Sequence, residues 1–216
     1  NLDETETIRG FARIVQDEER LDLLMLISAA DVRAVAGRNN WSSWRELLVW
    51  DLYGRTKRML AGEAEFLRAE EEERKGRAVQ VQRELAGEIS PEAVDQHLAG
   101  MGSSYLRQCS APLIARHIRA VHRFFADRVG GVDALAPLVE WRDHPEEGHT
   151  EVIVVTWNRE RLFSKIAGSF AVAGCNILSA DVFTRADDVV IDTFRVCSER
   201  LEPVSHRVDR ETFEQA

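Results

Sequence analysis

The sequence is short of the features that mark secreted, membrane and nucleic-acid-binding proteins. It has three cysteines in 216 residues, an odd number with no Cys-x-x-Cys pair, which excludes a complete disulfide framework and a zinc ribbon. No apolar run reaches the roughly 18 residues of a membrane-spanning helix. Basic residues (28) are fewer than acidic ones (37), for a formal net charge of -9, and no basic stripe is present. We therefore expect a cytoplasmic protein that binds neither membranes nor nucleic acid, with its cysteines buried as small hydrophobes.

Signatures of nucleophilic catalysis and of phosphate binding are missing as well. The chain has no Gly-x-Ser-x-Gly elbow, no Walker-type loop and no dinucleotide glycine fingerprint. His117 and His122 stand about 140° apart around a helix, so they cannot share a metal, and both are predicted to lie on solvated surface. His144 and His149, in a segment rich in helix breakers, receive the same interpretation. No residue of this chain is predicted to be catalytic.

Helical periodicity dominates the first part of the chain. Residues 18–35 are apolar nearly all round, which predicts a buried helix. The charge run within 61–75 predicts a solvated helix face. Ser90-Pro91 predicts another helix start, and apolar residues at i, i+4, i+7 and i+11 predict a helix over 113–129.

The periodicity changes near residue 140, and the breakers of 144–149 predict a domain boundary there. Residues 151–157 form a β-branched run that is typical of a buried strand. The segments that follow predict a β-α-β-β-α order, which is a ferredoxin-like βαββαβ unit without its last strand. The predicted fold class is therefore α+β. The later predicted elements are a helix over 162–172, strands over 176–184 and 189–196, and a helix from 205.

One carboxylate in the helical part stands out. Asp31 follows the apolar run 23–30, and burying a carboxylate is costly unless it is paired or bound to a metal. Arg33 and Ser28 are candidate local partners. No histidine cluster lies nearby, so the residues alone favour structural pairing and leave metal ligation open.

Several motifs along the chain point together to one family. They are Ser28–Val35, Trp41, Trp44, Leu47-Leu48 and Leu52-Tyr53-x-x-Thr56, then Tyr105-Leu106 and Ile114–His117, and last Thr150–Val152, Leu162–Gly168 and Ala173–Ile177. Collinear over nearly the whole chain, they resemble bifunctional P-II uridylyltransferase/uridylyl-removing enzymes. The resemblance divides the chain into the end of an HD domain (1–62), a helical linker (63–148) and a truncated first ACT domain (149–216).

In that family a nucleotidyltransferase domain transfers UMP from UTP to the signalling protein P-II, and an HD domain hydrolyses it off again. Tandem ACT domains sense glutamine and regulate nitrogen metabolism through this choice. The resemblance implies Mg2+ or Mn2+ in the whole enzyme and makes Asp31 the last ligand of the HD metal set. Because the other ligands lie outside this chain, we expect the chain itself to hold no metal and to be inactive.

The turn after the first ACT strand departs from the family pattern Asp-Arg-Pro-Gly-Leu-Phe. Residues 158–163 read Asn-Arg-Glu-Arg-Leu-Phe, with Arg161 where glycine normally lets a ligand approach the backbone. Arg161 would either fill the site or offer a guanidinium to a ligand carboxylate, so glutamine binding stays open. The predicted ligand-facing positions are Asn158, Arg161, Asn176 and Ile177.

Two other functions remain open. Alarmone (ppGpp) synthetase/hydrolases also combine HD and ACT domains, although the mainly helical stretch 56–149 argues against their β-rich intervening module. A stand-alone amino-acid-binding ACT module is the second.

The missing fourth strand predicts an interface. In a βαββαβ unit of strand order 4-1-3-2, that strand would pair with residues 151–157 and its absence would leave a free edge. We therefore predict self-association through this edge, unless the chain's own C-terminal segment covers it.

Overall fold

The computed structural model describes residues 5–35, 43–131, 133–199, 201–204 and 207–215. These residues form two compact units that divide between Arg77 and Ala78. Trp41, which carries part of the family resemblance, lies outside the described residues, and so do the side chains of Arg33, Trp44, Leu47 and Leu48.

The first unit is helical. It contains α1 (Thr5–Val15), α2 (Glu18–Val35), α3 (Ser43–Ala61) and the start of α4 (Glu63–Glu84). Its buried apolar cluster is formed by Ile8, Ala12, Met59 and Phe66. The charge run of α4 is solvated as predicted, and Arg74 pairs with Glu71 at 2.8 Å within it.

The prediction that α2 is a buried helix is wrong. Leu24 and Leu26 are 42% and 66% exposed, and Leu21 is the buried residue among the α2 side chains that the structure describes. A helix in a small unit meets its neighbours along one stripe, so apolar residues all round it cannot all be covered. Asp31 is exposed too, and its predicted burial is therefore wrong.

The second unit begins with helices that pack on a sheet. Helices α5 (Pro91–Ala99), α6 (Ser103–Gln108) and α7 (Ala111–Val129) follow α4. The Ser90 hydroxyl accepts a hydrogen bond from the Ala93 amide at 3.2 Å, which satisfies one free amide of the first turn and confirms the predicted start of α5.

The sheet has four antiparallel strands in the order β1-β2-β4-β3. It confirms the α+β class and the predicted β-α-β-β-α order. The strands are β1 (Leu138–His144), β2 (His149–Trp157), β3 (Cys175–Thr184) and β4 (Val189–Ser198), with α8 (Leu162–Val172) between β2 and β3 and α9 (Arg207–Gln215) after β4.

Helices cover both faces of this sheet, and side chains of β2 and β4 alternate between them. Ile153, Val155 and Ile191 pack against α7. Val152, Val154 and Phe194 pack on the opposite side, in a cluster with residues of α8 and α9. Cys109, Cys175 and Cys197 are buried, which confirms the interpretation of the cysteines. In the described ranges, no helix combines the length and the apolar character needed to cross a bilayer.

The predicted free edge at 151–157 is wrong, because β1 pairs with β2 along its length, for example Glu140 with Ile153. β1 occupies the place next to β2 that the order 4-1-3-2 assigns to the fourth strand. The reasoning for self-association through this edge therefore does not hold. The predicted boundary at 148/149 falls inside the β1–β2 hairpin, whose turn ends at Gly148 with φ 69°, and the three-part division into 1–62, 63–148 and 149–216 stays a prediction.

Candidate functional site

The four predicted ligand-facing positions lie at two ends of the sheet. Asn158 and Arg161 follow the end of β2, whereas Asn176 and Ile177 begin β3. Ile177 pairs with Val196, which pairs in turn with Thr150 at the other end of β2. At about 3.3 Å per residue, Asn158 and Ile177 are about 25 Å apart along the strands. A single chain therefore does not bring these four residues together.

The β2–α8 turn holds Arg161 in a left-handed conformation, with φ 60°. Its side chain is 80% exposed, with Nε 3.9 Å from Glu160 Oε1. The backbone N–H of Asn158 donates a hydrogen bond to the backbone carbonyl of Asp188 at 2.8 Å and fixes the start of the turn. Arg161 thus occupies a backbone conformation that suits glycine, and its side chain points into solvent.

A cavity of about 460 Å³ lies beside the same turn, bordered by β1, β2, α8 and α9. Val139, Val154 and Phe213 line its apolar part, and Arg159, Lys165 and Glu214 supply the charged groups of its wall. Concave, mostly apolar sites with a few polar groups are typical of small-molecule binding. Arg159 is not among the predicted ligand-facing residues, although it stands in the same turn as Arg161.

The cations of this cavity, Arg159 and Lys165, have no carboxylate partner among the described residues, and Arg159 is held by hydrogen bonds to neutral groups. Arg159 donates to the Leu135 carbonyl at 2.7 Å and to Thr156 Oγ1 at 3.2 Å, and both acceptors are neutral. Neither cation has an ion pair within the part of the chain that the structure describes. Glu214 accepts a hydrogen bond from Trp141 Nε1 at 3.1 Å. The cavity can therefore offer two cationic groups to an anionic ligand group.

A second arrangement is a buried chain of polar side chains between the helices and the sheet. Arg185 Nη1 lies 3.0 Å from His97 Nδ1, and His97 Nε2 lies 3.4 Å from the Tyr105 hydroxyl. That hydroxyl is 3.0 Å from His117 Nδ1, and His117 Nε2 is 2.8 Å from Thr193 Oγ1. Each buried polar group thereby has a partner, as burial requires.

Burial lowers the pKa of both histidines in this chain to about 3. The Arg185 guanidinium lowers the pKa of His97 further, because it disfavours a second positive charge. Both rings are neutral at pH 7. The prediction that His117 lies on solvated surface is wrong, because α7 lies on the sheet and buries this side; His122 is exposed as predicted.

A third arrangement lies in the β1–β2 hairpin. One ring nitrogen each of His144 and His149 and a carboxylate oxygen of Glu147 all lie within 4.8 Å of one another. His149 is buried and His144 is half-buried, so the prediction that they are surface residues is wrong for His149. The pattern His-x-x-Glu-x-His around a glycine turn is the signal that could have found this cluster.

Asp31 has no comparable surroundings. In the described ranges, the three residues close enough to share a metal ion are His144, Glu147 and His149, and Asp31 is not one of them. One exposed carboxylate does not hold a divalent ion, so the residues present do not fit a metal at this position. The role of Asp31 as a ligand stays a prediction.

The fold and the cavity define an α+β protein in which a helical part precedes a four-stranded sheet domain suited to binding a small molecule. Comparison with curated proteins finds the bifunctional uridylyltransferase/uridylyl-removing enzyme of Azospirillum brasilense, 32% identical over 91% of the chain. The enzymes of the same name from Gluconobacter oxydans and Rhodospirillum rubrum are each 33% identical, over 91% and 98% of the chain.

The chain spans about a fifth of the length of these curated relatives. It is thus related to one segment of the bifunctional uridylyltransferase/uridylyl-removing enzymes, which confirms the resemblance carried by its motifs. No protein-family model matches the chain. No solved structure matches it either.

Proposed function

We propose that this chain is a regulatory segment of a protein that transfers UMP from UTP to P-II and removes it again, and that glutamine controls the balance. The names of the three relatives support both activities for the whole protein. The glutamine role follows from the resemblance of the sheet domain to an ACT domain. By the same resemblance, the whole protein would use Mg2+ or Mn2+, with Asp31 as one ligand of its HD metal set.

The cavity beside the β2–α8 turn is the observation that carries the regulatory role. Its volume of about 460 Å³ is ample for a free amino acid and within the usual range of ligand sites. In this proposal Arg159 and Lys165 bind the carboxylate of glutamine, and Glu214 binds its ammonium group. The methylene groups of glutamine would lie on the apolar part of the wall.

Calorimetric titration of the chain with glutamine tests this assignment. Arg159→Ala should weaken binding about 10- to 100-fold, because it removes a charge-assisted hydrogen bond. Arg161→Ala is the matched control, since this cation of the same turn does not line the cavity, and it should change binding less than about twofold. If Arg161→Ala weakens binding more than Arg159→Ala does, glutamine binds at Arg161, as the sequence predicts, and not in the cavity. Absence of binding by the unsubstituted chain would overturn glutamine sensing by this segment.

The expected inactivity of the segment has its own test. The purified chain, incubated with uridylylated P-II and Mn2+, should release no more UMP than a sample with a metal chelator, because Asp31 stands without further ligands among the described residues. Release above that control would show a complete hydrolytic site in this chain. The names of the relatives support neither an alarmone synthetase/hydrolase nor a stand-alone module.

A further inference from the structure

The β1–β2 hairpin places two imidazole rings side by side. His144 and His149 are the last cross-strand pair of the two strands, so their side chains project from the same face. Their ring centroids are 4.9 Å apart and the ring planes differ by 9°. A short 3-10 turn, Pro145–Glu147, and Gly148 close the loop. The backbone register of the hairpin thus places the two side chains next to each other.

Glu147 faces both rings from the turn. Its Oε2 lies 3.7 Å from His149 Nδ1, and its Oε1 lies 3.9 Å from His144 Nδ1. Both distances are too long for hydrogen bonds. The three donor atoms therefore surround a common gap and do not bond to one another.

We propose that His144, Glu147 and His149 bind a divalent transition-metal ion, with Zn2+ the best match. Two imidazole nitrogens and one carboxylate oxygen form a recognised Zn2+ ligand set that leaves one position for water. Tetrahedral bonds of about 2.0–2.2 Å place neighbouring ligand atoms about 3.4 Å apart. The two ring planes differ by 9°, so the lone pairs of the rings lie in nearly parallel planes and do not meet at one point. Binding therefore requires the half-buried ring of His144 to rotate toward the ion, and Glu147, whose side chain is 67% exposed, to move inward.

The surroundings of the rings favour metal binding. The His149 side chain is 8% exposed, so its ring is held by packing before any ion arrives. Nε2 of His144 is buried without a hydrogen-bond partner in the described residues. No hydrogen bond at this atom therefore fixes which ring nitrogen carries the proton, and Nδ1 is free to bind a metal. The neighbouring Asp143 is already engaged by Thr150 Oγ1 at 2.8 Å and by Arg210 at 2.6 Å, which leaves Glu147 as the carboxylate of this site.

A bound ion would connect β1 to β2 at the end of their pairing next to the turn. Because an ion that binds only the folded chain stabilises it by mass action, Zn2+ should raise the thermal midpoint of the sheet-containing unit. This inference does not depend on glutamine binding, since the two sites share no residue.

Titration of the untagged 216-residue chain with ZnCl2, followed by calorimetry, tests the proposal, and CoCl2 reports the ligand geometry by its visible absorption. One Zn2+ should bind per chain, and bound Co2+ should show tetrahedral d–d bands. His144→Gln, His149→Gln and Glu147→Gln should each weaken Zn2+ binding at least tenfold. Glu146→Gln, in the same turn, and His122→Gln, on the exposed side of α7, are matched controls that should change it less than about twofold.

Each of these variants gives a result that either supports or overturns the proposed Zn2+ site. If His149→Gln fails to fold because this ring is buried, the exposed Glu147→Gln still tests the ligand set. Equal affinities of Glu147→Gln and Glu146→Gln, or a Zn2+-induced rise in thermal midpoint that survives in His144→Gln, would overturn the proposal. Absence of Zn2+ binding by the unsubstituted chain would overturn it as well.

Discussion

Nε2 of His117 lies 2.8 Å from Oγ1 of Thr193, inside the unit formed by the helices and the sheet. The other ring nitrogen lies 3.0 Å from the Tyr105 hydroxyl, and the two rings stack with centroids 5.7 Å apart. Both nitrogens of a buried neutral imidazole are thereby satisfied. The histidine acts as a polar connection between α6, α7 and β4 within an otherwise apolar interior.

Removing this connection should destabilise the chain. His117→Ala leaves the hydroxyls of Tyr105 and Thr193 without their ring partner and opens a cavity, for an expected loss of about 2–4 kcal/mol in the free energy of unfolding. His122→Ala, on the exposed side of the same helix, should change it by less than about 0.5 kcal/mol. Urea unfolding followed by circular dichroism measures both, and equal midpoints for the two variants would contradict the structure.

The same histidines predict a pH dependence of stability. His97 and His117 have pKa values of about 3 in the folded chain, against about 6.5 when unfolded. Between these values the unfolded state binds more protons, so this contribution to stability is complete above pH 6.5 and is lost as the pH falls toward 3. Each histidine adds a slope of up to about 1.4 kcal/mol per pH unit.

Urea unfolding between pH 4 and 8 tests this dependence. The double variant His97→Gln/His117→Gln should show a flatter pH profile than the unsubstituted chain, because it removes the two groups that protonate on unfolding. Parallel profiles would show that these rings are accessible to protons in the folded chain.

The sequence predicted β2, β3 and β4 but not the edge strand β1 or the buried side chain of His117. The β-branched run of β2 is typical of a central strand. In β1, Val139 and Trp141 alternate with charged residues, as in a strand that is covered on one face. Its alternating pattern was the available signal. His117 stands three residues after Ile114 and four before Val121, on the apolar stripe of α7, so helical spacing could have placed it inside. Its partner Thr193 is 76 residues away, and only the folded chain shows that contact.

A lysine in the central strand β2 should destabilise the folded chain. It should not act by separating a dimer, because the edge of β2 is already paired with β1. Ile153 is fully buried against α7, with β1 and β4 on its two sides, so Ile153→Lys introduces an unpaired buried charge at a cost of about 3 kcal/mol or more. Val182→Lys on the edge strand β3, where Val182 is 49% exposed, is the matched control and should be tolerated. A folded Ile153→Lys chain that sediments as a monomer, beside a dimeric unsubstituted chain, would restore the free-edge interpretation.

Asp192 gives a pH dependence of the opposite sign. It is 1% exposed on β4, and its Oδ1 has no hydrogen-bond partner in the described residues. Burial raises its pKa to about 7, against the lowering effect of a hydrogen bond from the Phe183 backbone. Between pH 4 and 7 the folded chain therefore holds a proton that the unfolded chain releases, and this contribution to stability falls as the pH rises through 7.

Asp192→Asn should remove that loss, because the amide has nearly the same shape and does not ionise. From pH 5 to pH 8 the stability of the variant relative to the unsubstituted chain should increase by roughly 2–3 kcal/mol, because over most of this range the folded carboxyl keeps a proton that the unfolded one has lost. Asp188→Asn is the control, since Asp188 is exposed and its φ of 63° suits asparagine. Urea midpoints at the two pH values measure the effect. An Asp192→Asn difference that is the same at pH 5 and pH 8 would show that this carboxylate is ionised in the folded chain at both, and that water or another group reaches Oδ1.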